Sequence, residues 1–145
     1  FADFDLNKTE ITDLKKYCNY LPDRLIPFFE GAIKNHHYTK LALKEFQKST
    51  LDLKKIGELM NAHHAVLRDL LKITVPRIDS MIDAALKAGA YGAKIVGSGG
   101  GGSIVVMAEP GNEAPVVEAI LAAGAVEAYT VTVDPGVRIL ENIKN

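Results

Sequence analysis

The chain has 145 residues, of which 48% are hydrophobic and 24% charged, so it fits one globular domain and is not an intrinsically disordered chain. Its 17 Lys and Arg residues balance 18 Asp and Glu residues, which leaves no field of one sign to attract nucleic acid or an anionic membrane. The single cysteine, Cys18, cannot form an internal disulfide, and no apolar run approaches the roughly 20 residues of a membrane span. We therefore expect a cytoplasmic protein with neither a nucleic-acid nor a membrane partner.

Residues from about 12 to 88 follow helical patterns. The first long helix has one face on which six side chains recur at steps of three and four: Leu25, Phe29, Ile33, His36, Leu43 and Phe46. Asp52 is a suitable N-cap for a second helix. Its repeating face consists of Leu53, Ile56, Met60, His63, Leu67 and Leu70. We expect these two helices to pack as an antiparallel pair. A third helix is predicted to begin at Pro76 and to end at Gly89, a left-handed C-cap.

The pattern changes near Gly89, and residues 93–140 favour strands around one helix. Short apolar strands at 94–96 and 104–107 flank a glycine run, which predicts a hairpin. Asn112 is predicted to cap a helix that ends at Gly124. Alternation over 128–133 and a turn at 134–136 predict two more strands, the last at 137–140. The predicted order is therefore helices followed by β-β-α-β-β.

Five glycines in the seven residues 97–103 form the one segment whose composition local folding does not explain. Ordering each glycine costs roughly 0.5–1 kcal/mol more than ordering alanine, so a compensating role is expected. Without side chains, successive N–H groups can line a concave site for an anion such as phosphate. A flexible or tightly packed hairpin turn is the alternative, although a two-residue turn needs only one or two glycines.

Three known phosphate-binding patterns are excluded. The run satisfies G-x-G-x-x-G, but the dinucleotide fingerprint opens a helix, whereas a strand follows here. The chain contains no G-x-x-x-x-G-K-[ST] sequence, so a P-loop is excluded. About 40 residues follow the run, without the lysine, H-R-D or D-F-G motifs of protein kinases.

Other polar residues have simpler interpretations. Adjacent histidines in a helix point about 100° apart, so the pairs His36-His37 and His63-His64 are interpreted as packed or hydrogen-bonded side chains and not as metal ligands. Arg68 and Asp69 either orient a phosphate or form a surface pair near a helix end. Cys18 is interpreted as a small core residue, because nothing near it in the sequence would lower the pKa of its thiol.

Six segments, in order and spacing over about residues 55 to 108, resemble the C-terminal part of galactokinases in the GHMP kinase superfamily. They are Leu59-Met60-Asn61, His64, Leu67-Arg68-Asp69, Val75-Pro76-Arg77-Ile78-Asp79, Gly89-Ala90-Tyr91-Gly92-Ala93-Lys94 and the glycine run. The run resembles the superfamily's third motif, which lies against the phosphate site. Galactokinases usually have an aromatic residue inside this motif, where this chain has Gly100 and Gly101, and often a cysteine where it has Ser103. In this respect the run is more similar to mevalonate kinases.

The resemblance implies an α+β fold: a ferredoxin-like antiparallel sheet of three or four strands with helices on one face, plus a helical N-terminal section. It also implies that residues 1–145 are the C-terminal domain of a longer two-domain enzyme whose N-terminal ATP and substrate domain is absent from this chain. The first five residues carry neither an initiator Met nor a signal pattern, which agrees with a start inside a longer polypeptide.

By the same resemblance, the full-length protein is expected to be an ATP-dependent sugar kinase of carbohydrate metabolism that uses ATP and Mg²⁺ and phosphorylates the anomeric hydroxyl of galactose or a related sugar. The implied cofactor-binding residues are Gly97, Ser98, Gly99, Gly100, Gly101, Gly102 and Ser103. No catalytic residue and no metal ligand is assigned to this chain, whose partner would be its own N-terminal kinase domain, and the chain alone is expected to be inactive. The alternatives are a mevalonate or homoserine kinase-like enzyme and a non-catalytic regulatory domain that binds a small molecule.

Overall fold

A computed structural model describes residues 4–133 and residue 136. The five α-helices within these residues are α1 (Leu14–Cys18), α2 (Ile26–Phe46), α3 (Leu53–Ala65), α4 (Pro76–Lys87) and α5 (Glu113–Ala122). The two β-strands are β1 (Gly92–Val96) and β2 (Ser103–Met107). Single 3₁₀ turns lie at Ile11–Asp13 and Asp23–Leu25, and a π-helical turn at Val66–Leu70 continues α3. The α+β class and the helical N-terminal section are confirmed.

Helices α2 and α3 pack against each other as predicted. Asp52 caps α3, because its Oδ1 accepts a hydrogen bond of 3.0 Å from the N–H of Lys55. Ile33 is fully buried in α2, whereas Leu43 and Phe46 on the same predicted face are more than half exposed. Leu43 and Phe46 lie at the C-terminal end of α2, next to the connection to α3.

Helix α4 begins at Pro76 and its C-terminus has the predicted glycine cap. Gly89 has a φ of +96°, and the N–H of Ala90 donates to the carbonyl of Ala85 at 3.0 Å, so the chain leaves the helix through a left-handed residue. This turn delivers the chain directly into β1.

Strands β1 and β2 form an antiparallel hairpin in which Val96 pairs with Ser103 and Gly92 with Met107. The side chains of Ala93 and Ile95 point from one face into the main core, where both are almost fully buried. This core is shared with the π-helical turn, α4 and α5; its other buried members are Leu67, Ile78, Met81, Ile82, Ala85, Ala90, Val116 and Ile120. The predicted helices on one face of an antiparallel sheet are therefore present, but the sheet in the described residues has two strands in place of the predicted three or four.

The outer edge of β1 is occupied by side chains of α3. Asn61 accepts the N–H of Ala93 at 2.9 Å and donates to the carbonyl of Tyr91 at 3.2 Å, so its amide makes the contacts that a neighbouring strand would make. The N–H of Ile95 points to Nδ1 of His64 at 3.4 Å. A helix therefore closes this edge of the sheet.

The predicted strand at 128–133 is not formed in this structure. Tyr129 and Val131 are each 74% exposed and Val133 is 98% exposed. Alternating side chains favour a strand only where they pair with a sheet edge; the outer edge of β1 is taken by α3, and in the described residues β2 pairs with β1 alone. The predicted turn residues 134–135 and the predicted strand at 137–140 lie outside the described residues.

Asn112 precedes α5, but its side chain does not cap that helix. Its Nδ2 instead donates to the carbonyl of Ala88 at the C-terminus of α4, at 3.2 Å. Asn112 is therefore at the N-cap position, and the helix begins where predicted, but the expected side-chain cap is absent. Asn112 joins the ends of two helices, and Arg77 of α4 adds a second tie by donating to the carbonyl of Gly124 after α5.

Candidate functional site

The glycine loop, residues 97–103, comprises the connection between β1 and β2 and the first residue of β2, and it contains five glycines in a left-handed conformation. The φ angles are +85° at Gly97, +87° at Gly99, +76° at Gly100, +136° at Gly101 and +91° at Gly102. Residues with a Cβ rarely adopt these angles, so the path of this loop requires glycine. The loop therefore has a specific conformation that depends on its glycines, and it is not only a spacer between strands.

One glycine of the loop has no room for a side chain. A Cβ on Gly99 would lie 2.4 Å from the carbonyl oxygen of Ile73, whereas none on Gly97, Gly100 or Gly101 would meet an atom within 4 Å. The N–H of Gly100 donates to the same carbonyl of Ile73 at 2.7 Å. The loop thus docks on the segment before α4 through backbone alone, and its remaining glycines face open space.

Residues 96–103 surround an open hollow of about 470 Å³. Within the part of the chain that the structure describes, no hydrogen-bond acceptor is recorded for the N–H groups of Gly97, Ser98, Gly99, Gly101 or Gly102. Clustered N–H groups without side chains in front of them suit an anion such as phosphate. All seven residues that the sequence assigned to cofactor binding are therefore together around one concave surface.

The segment on which the loop docks, residues 72–74, is itself held by unusual backbone geometry; it is called the docking segment below. After the π-helical turn, the N–H of Ile73 donates to the carbonyl of Leu67 at 3.1 Å, and Lys72 between them has a φ of +55°. A left-handed lysine is uncommon, because its Cβ crowds the backbone. Sequence reasoning did not identify Lys72 or Ile73, since neither residue type signals such a conformation.

A chain of polar side chains lies behind the docking segment. Thr74 donates to Oδ2 of Asp79 at 3.1 Å, and Nε2 of His64 lies 3.2 Å from Oδ1 of the same carboxylate. His64 is 3% exposed, and its other ring nitrogen faces the N–H of Ile95. These contacts fix the neutral tautomer with hydrogen on Nε2. Burial lowers the pKa of His64, and the neighbouring Asp79 opposes that shift.

Arg68 and Asp69 pair with each other at the surface. Arg68 Nε and Nη2 donate to the two carboxylate oxygens of Asp69 at 2.8 and 3.1 Å, and both side chains are substantially exposed. Of the two interpretations of the sequence, the structure supports the surface pair.

The histidine and cysteine residues show no reactive arrangement in the part of the chain that is described. No three His, Cys, Asp or Glu side chains among residues 4–133 come together as a metal site would require. Burial raises the pKa of the Cys18 thiol, with a further contribution from Glu30, which disfavours the nucleophilic thiolate.

A second concavity lies between α2, α3 and β2. This groove has a volume of about 320 Å³ and is mostly apolar, with Phe46, Met60 and Val105 among its lining side chains. His63 and Lys94 are its titratable nitrogen-bearing side chains, and burial lowers the pKa of both. It shares no lining residue with the hollow of the glycine loop.

The segment that contains this loop is similar to a known protein family. Residues 42–126, more than half of the chain, match the family model described as GHMP kinases C terminal. The chain belongs to the GHMP kinase family. The matched region contains α3, α4, the hairpin with its glycine loop, and the docking segment, so every element of the candidate site lies within it.

Its GHMP kinase relatives include enzymes for two different acceptors. The chain is 41% identical over 92% of its length to a mevalonate kinase of Pyrococcus horikoshii, covering 39% of that protein. It is 32% identical over 83% of its length to a galactokinase of Chloroflexus aggregans, covering 31% of that protein. The chain therefore spans between about a third and two fifths of the length of these GHMP kinases.

Solved GHMP kinase structures share the fold. The galactokinase of Lactococcus lactis, crystallised with galactose, matches 83% of this chain with a TM-score of 0.67 and 28% identity, over 33% of its own length. The mevalonate kinase of L. major, in complex with R-mevalonate, matches 83% with a TM-score of 0.60 and 25% identity, over 35% of its length. In the described residues of this GHMP kinase chain, no helix is both long and apolar enough to span a membrane.

Proposed function

We propose that this chain is the C-terminal domain of an ATP-dependent small-molecule kinase, and that residues 97–103 contact the phosphates of ATP. The observation that carries the proposal is the group of five left-handed glycines around an open hollow, four of which have N–H groups without an acceptor among the described residues. The full-length enzyme would contain an N-terminal kinase domain that is absent from this chain and holds the rest of the ATP site. The chain covers only about two fifths of its mevalonate kinase relatives, which supports this division.

The chemistry assigned to the loop is electrostatic. When bound, ATP with Mg²⁺ supplies the γ-phosphoryl group that is transferred to an alcohol oxygen. Negative charge on that group is stabilised by N–H groups already oriented before the reaction, because they need no reorganisation. The loop of this chain fits a phosphate by its size, its lack of side chains and its donors. We assign neither a catalytic base nor a Mg²⁺ ligand to these residues.

Galactose or a related sugar is our first candidate for the acceptor. The segments that resemble galactokinases meet around the glycine loop: His64 and Asp79 contact each other, and Gly100 docks on the chain just before Val75-Pro76. Of the two solved structures compared, the galactokinase also superimposes with the higher TM-score, 0.67 against 0.60. The proposed reaction is transfer to the anomeric hydroxyl.

Mevalonate is the second candidate, because the identity to the mevalonate kinase of Pyrococcus horikoshii is 41% against 32% for the galactokinase of Chloroflexus aggregans. The glycines at 100 and 101 favour it too, since this version of the loop resembles mevalonate kinases. Both candidates use the same phosphoryl chemistry and differ only in the alcohol.

The test uses the full-length polypeptide obtained from the native coding region around this chain. ATP consumption is measured with galactose and with mevalonate in parallel, for the unmodified enzyme and for Gly101→Val. We expect turnover with one acceptor and a loss of about 10²–10³-fold in kcat for the variant, the range seen when one preorganised donor is removed.

Gly111→Val is the matched control, because Gly111 also has a positive φ, +90°, and open space around it but lies outside the loop. It carries the same backbone strain and is expected to retain turnover. Equal turnover of both variants would remove the loop from the mechanism. No turnover of the full-length protein with either alcohol would favour a regulatory domain that binds a small molecule.

A further inference from the structure

The position of the glycine loop depends on residues outside it. Its docking contact is the hydrogen bond from the N–H of Gly100 to the carbonyl of Ile73, reinforced by the close approach of Gly99 to the same oxygen. A shift of Ile73 therefore shifts the middle of the loop. What holds Ile73 in place then decides where the N–H groups of the hollow point.

Ile73 is held from both of its neighbours. On one side, Lys72 closes the wide turn that brings the N–H of Ile73 to the carbonyl of Leu67. On the other side, the hydroxyl of Thr74 donates to Oδ2 of Asp79, a residue of α4. The first restraint belongs to the end of α3, and the second connects the docking segment to a different helix.

The Asp79 carboxylate also connects, through His64, to β1, the strand from which the loop emerges. Its Oδ1 faces Nε2 of His64, and Nδ1 of that ring faces the N–H of Ile95. Ile95 lies in β1, two residues before Gly97, where the loop begins. This pair, in which His64 is buried and Asp79 is partly exposed, therefore reaches both the docking segment and the strand from which the loop emerges.

We propose that Thr74, Asp79 and His64 are positioning residues that hold the glycine loop in its phosphate-facing conformation. They act through Ile73 and Ile95 and do not touch the ligand themselves. This inference rests on the proposed function for its catalytic consequence, while its structural content concerns the loop alone. The Thr74 hydroxyl is the part of this network that can be removed with the least change in volume.

The experiment measures amide hydrogen exchange at Gly100 in this 145-residue chain, with Thr74→Val, Thr74→Ser and Thr39→Val compared with the unmodified protein. Loss of a hydrogen bond worth about 1 kcal/mol corresponds to roughly fivefold faster exchange at Gly100 in Thr74→Val. Thr74→Ser keeps the hydroxyl and should restore the original rate. Thr39→Val is the matched control, because the Thr39 hydroxyl donates to the carbonyl of Asn35 within its own helix, α2, at 2.8 Å.

Exchange at Ile120 of α5 serves as the internal reference for global stability. If Gly100 exchanges at the same rate in Thr74→Val as in the unmodified protein, or if Gly100 and Ile120 accelerate equally, the positioning role is overturned. Faster exchange confined to the loop supports it.

The full-length enzyme gives the second measurement. Thr74→Val is expected to lower kcat several-fold with little change in the KM of the acceptor alcohol, and Thr74→Ser is expected to recover the loss. If kcat of Thr74→Ser stays as low as that of Thr74→Val, positioning by the hydroxyl is contradicted. If the full-length protein has no kinase activity, the exchange result still decides the positioning role, so failure of the function and failure of this inference are distinguishable.

Discussion

Gly57 of α3 and Gly92 of β1 lie in direct backbone contact. A Cβ on Gly92 would stand 2.1 Å from the carbonyl oxygen of Gly57, and a Cβ on Gly57 would stand 2.4 Å from the carbonyl carbon of Tyr91. Real Cβ atoms do not approach other atoms so closely, and a backbone cannot move aside as a side chain can. This contact brings α3 near enough for Asn61 and His64 to reach the edge of β1.

Gly57→Ala is therefore expected to destabilise the protein by roughly 1–3 kcal/mol, as overpacking of a filled core does. Helix propensity alone predicts the opposite sign, since alanine in a helix is favoured over glycine by about 1 kcal/mol. Urea unfolding measures the difference. Gly31→Ala in α2 is the control: the three atoms nearest to its Cβ would all belong to the Leu71 side chain, which can move. A Gly57→Ala variant as stable as Gly31→Ala would contradict the close contact.

Asn61→Ala is expected to cost about 1–3 kcal/mol, because it leaves the N–H of Ala93 and the carbonyl of Tyr91 without their partner. Ala93 is fully buried, so water cannot replace the amide at that N–H. Thermal unfolding compares it with Asn112→Ala, which loses one hydrogen bond to Ala88. Asn61→Ala should therefore unfold at a lower temperature than Asn112→Ala. The opposite order would contradict closure of the β1 edge by α3.

Lys72→Gly is expected to stabilise the protein by roughly 0.5–1 kcal/mol. Lys72 has a φ of +55°, which costs a residue with a Cβ about 1–2 kcal/mol, and the greater freedom of glycine in the unfolded chain offsets part of the gain. Lys44→Gly in the last turn of α2 is the matched control and should lose stability, because it places glycine in a helix. Chemical denaturation measures the free energy of unfolding of both variants, which should rise for Lys72→Gly and fall for Lys44→Gly.

Stability is expected to fall as pH decreases below about 6.5. Burial lowers the pKa of His64 in the folded state, Arg68 and Lys94 add to this, and Asp79 opposes it. The unfolded chain, with a histidine pKa near 6.5, therefore binds protons before the folded state does. The full contribution is present above the unfolded pKa and is lost as pH falls toward the lower folded value. His63 shifts in the same direction, also because of burial.

Urea unfolding between pH 7.5 and 5.5 measures this dependence before most carboxylates titrate. His64→Asn removes the titrating ring and is expected to flatten the dependence of the unfolding free energy on pH. His63→Gln measures how much of that dependence comes from the neighbouring histidine. A slope that is unchanged in both variants would show that other groups cause the loss of stability.

The sequence by itself determined the elements whose signals are local. The spacing of apolar residues gave α2, α3 and α4, Asp52 and Gly89 marked helix ends, and the glycine run between two apolar segments identified the hairpin and its loop. These features depend on propensities and patterns within a few residues, so they can be read without knowing what packs nearby. The resemblance to GHMP kinases rests on the same readable segments.

Tertiary structure decided the rest. The side chain of Asn112 bonds to the end of α4 and not to its own helix. The alternating segment at 128–133 forms no strand: α3 occupies the outer edge of β1, and in the described residues β2 pairs with β1 alone. Docking of the glycine loop on Ile73 joins residues 27 positions apart in sequence, and neither end carries a sequence signal for the other. Contacts between distant segments depend on how the elements pack, and a local pattern contains no information about that packing.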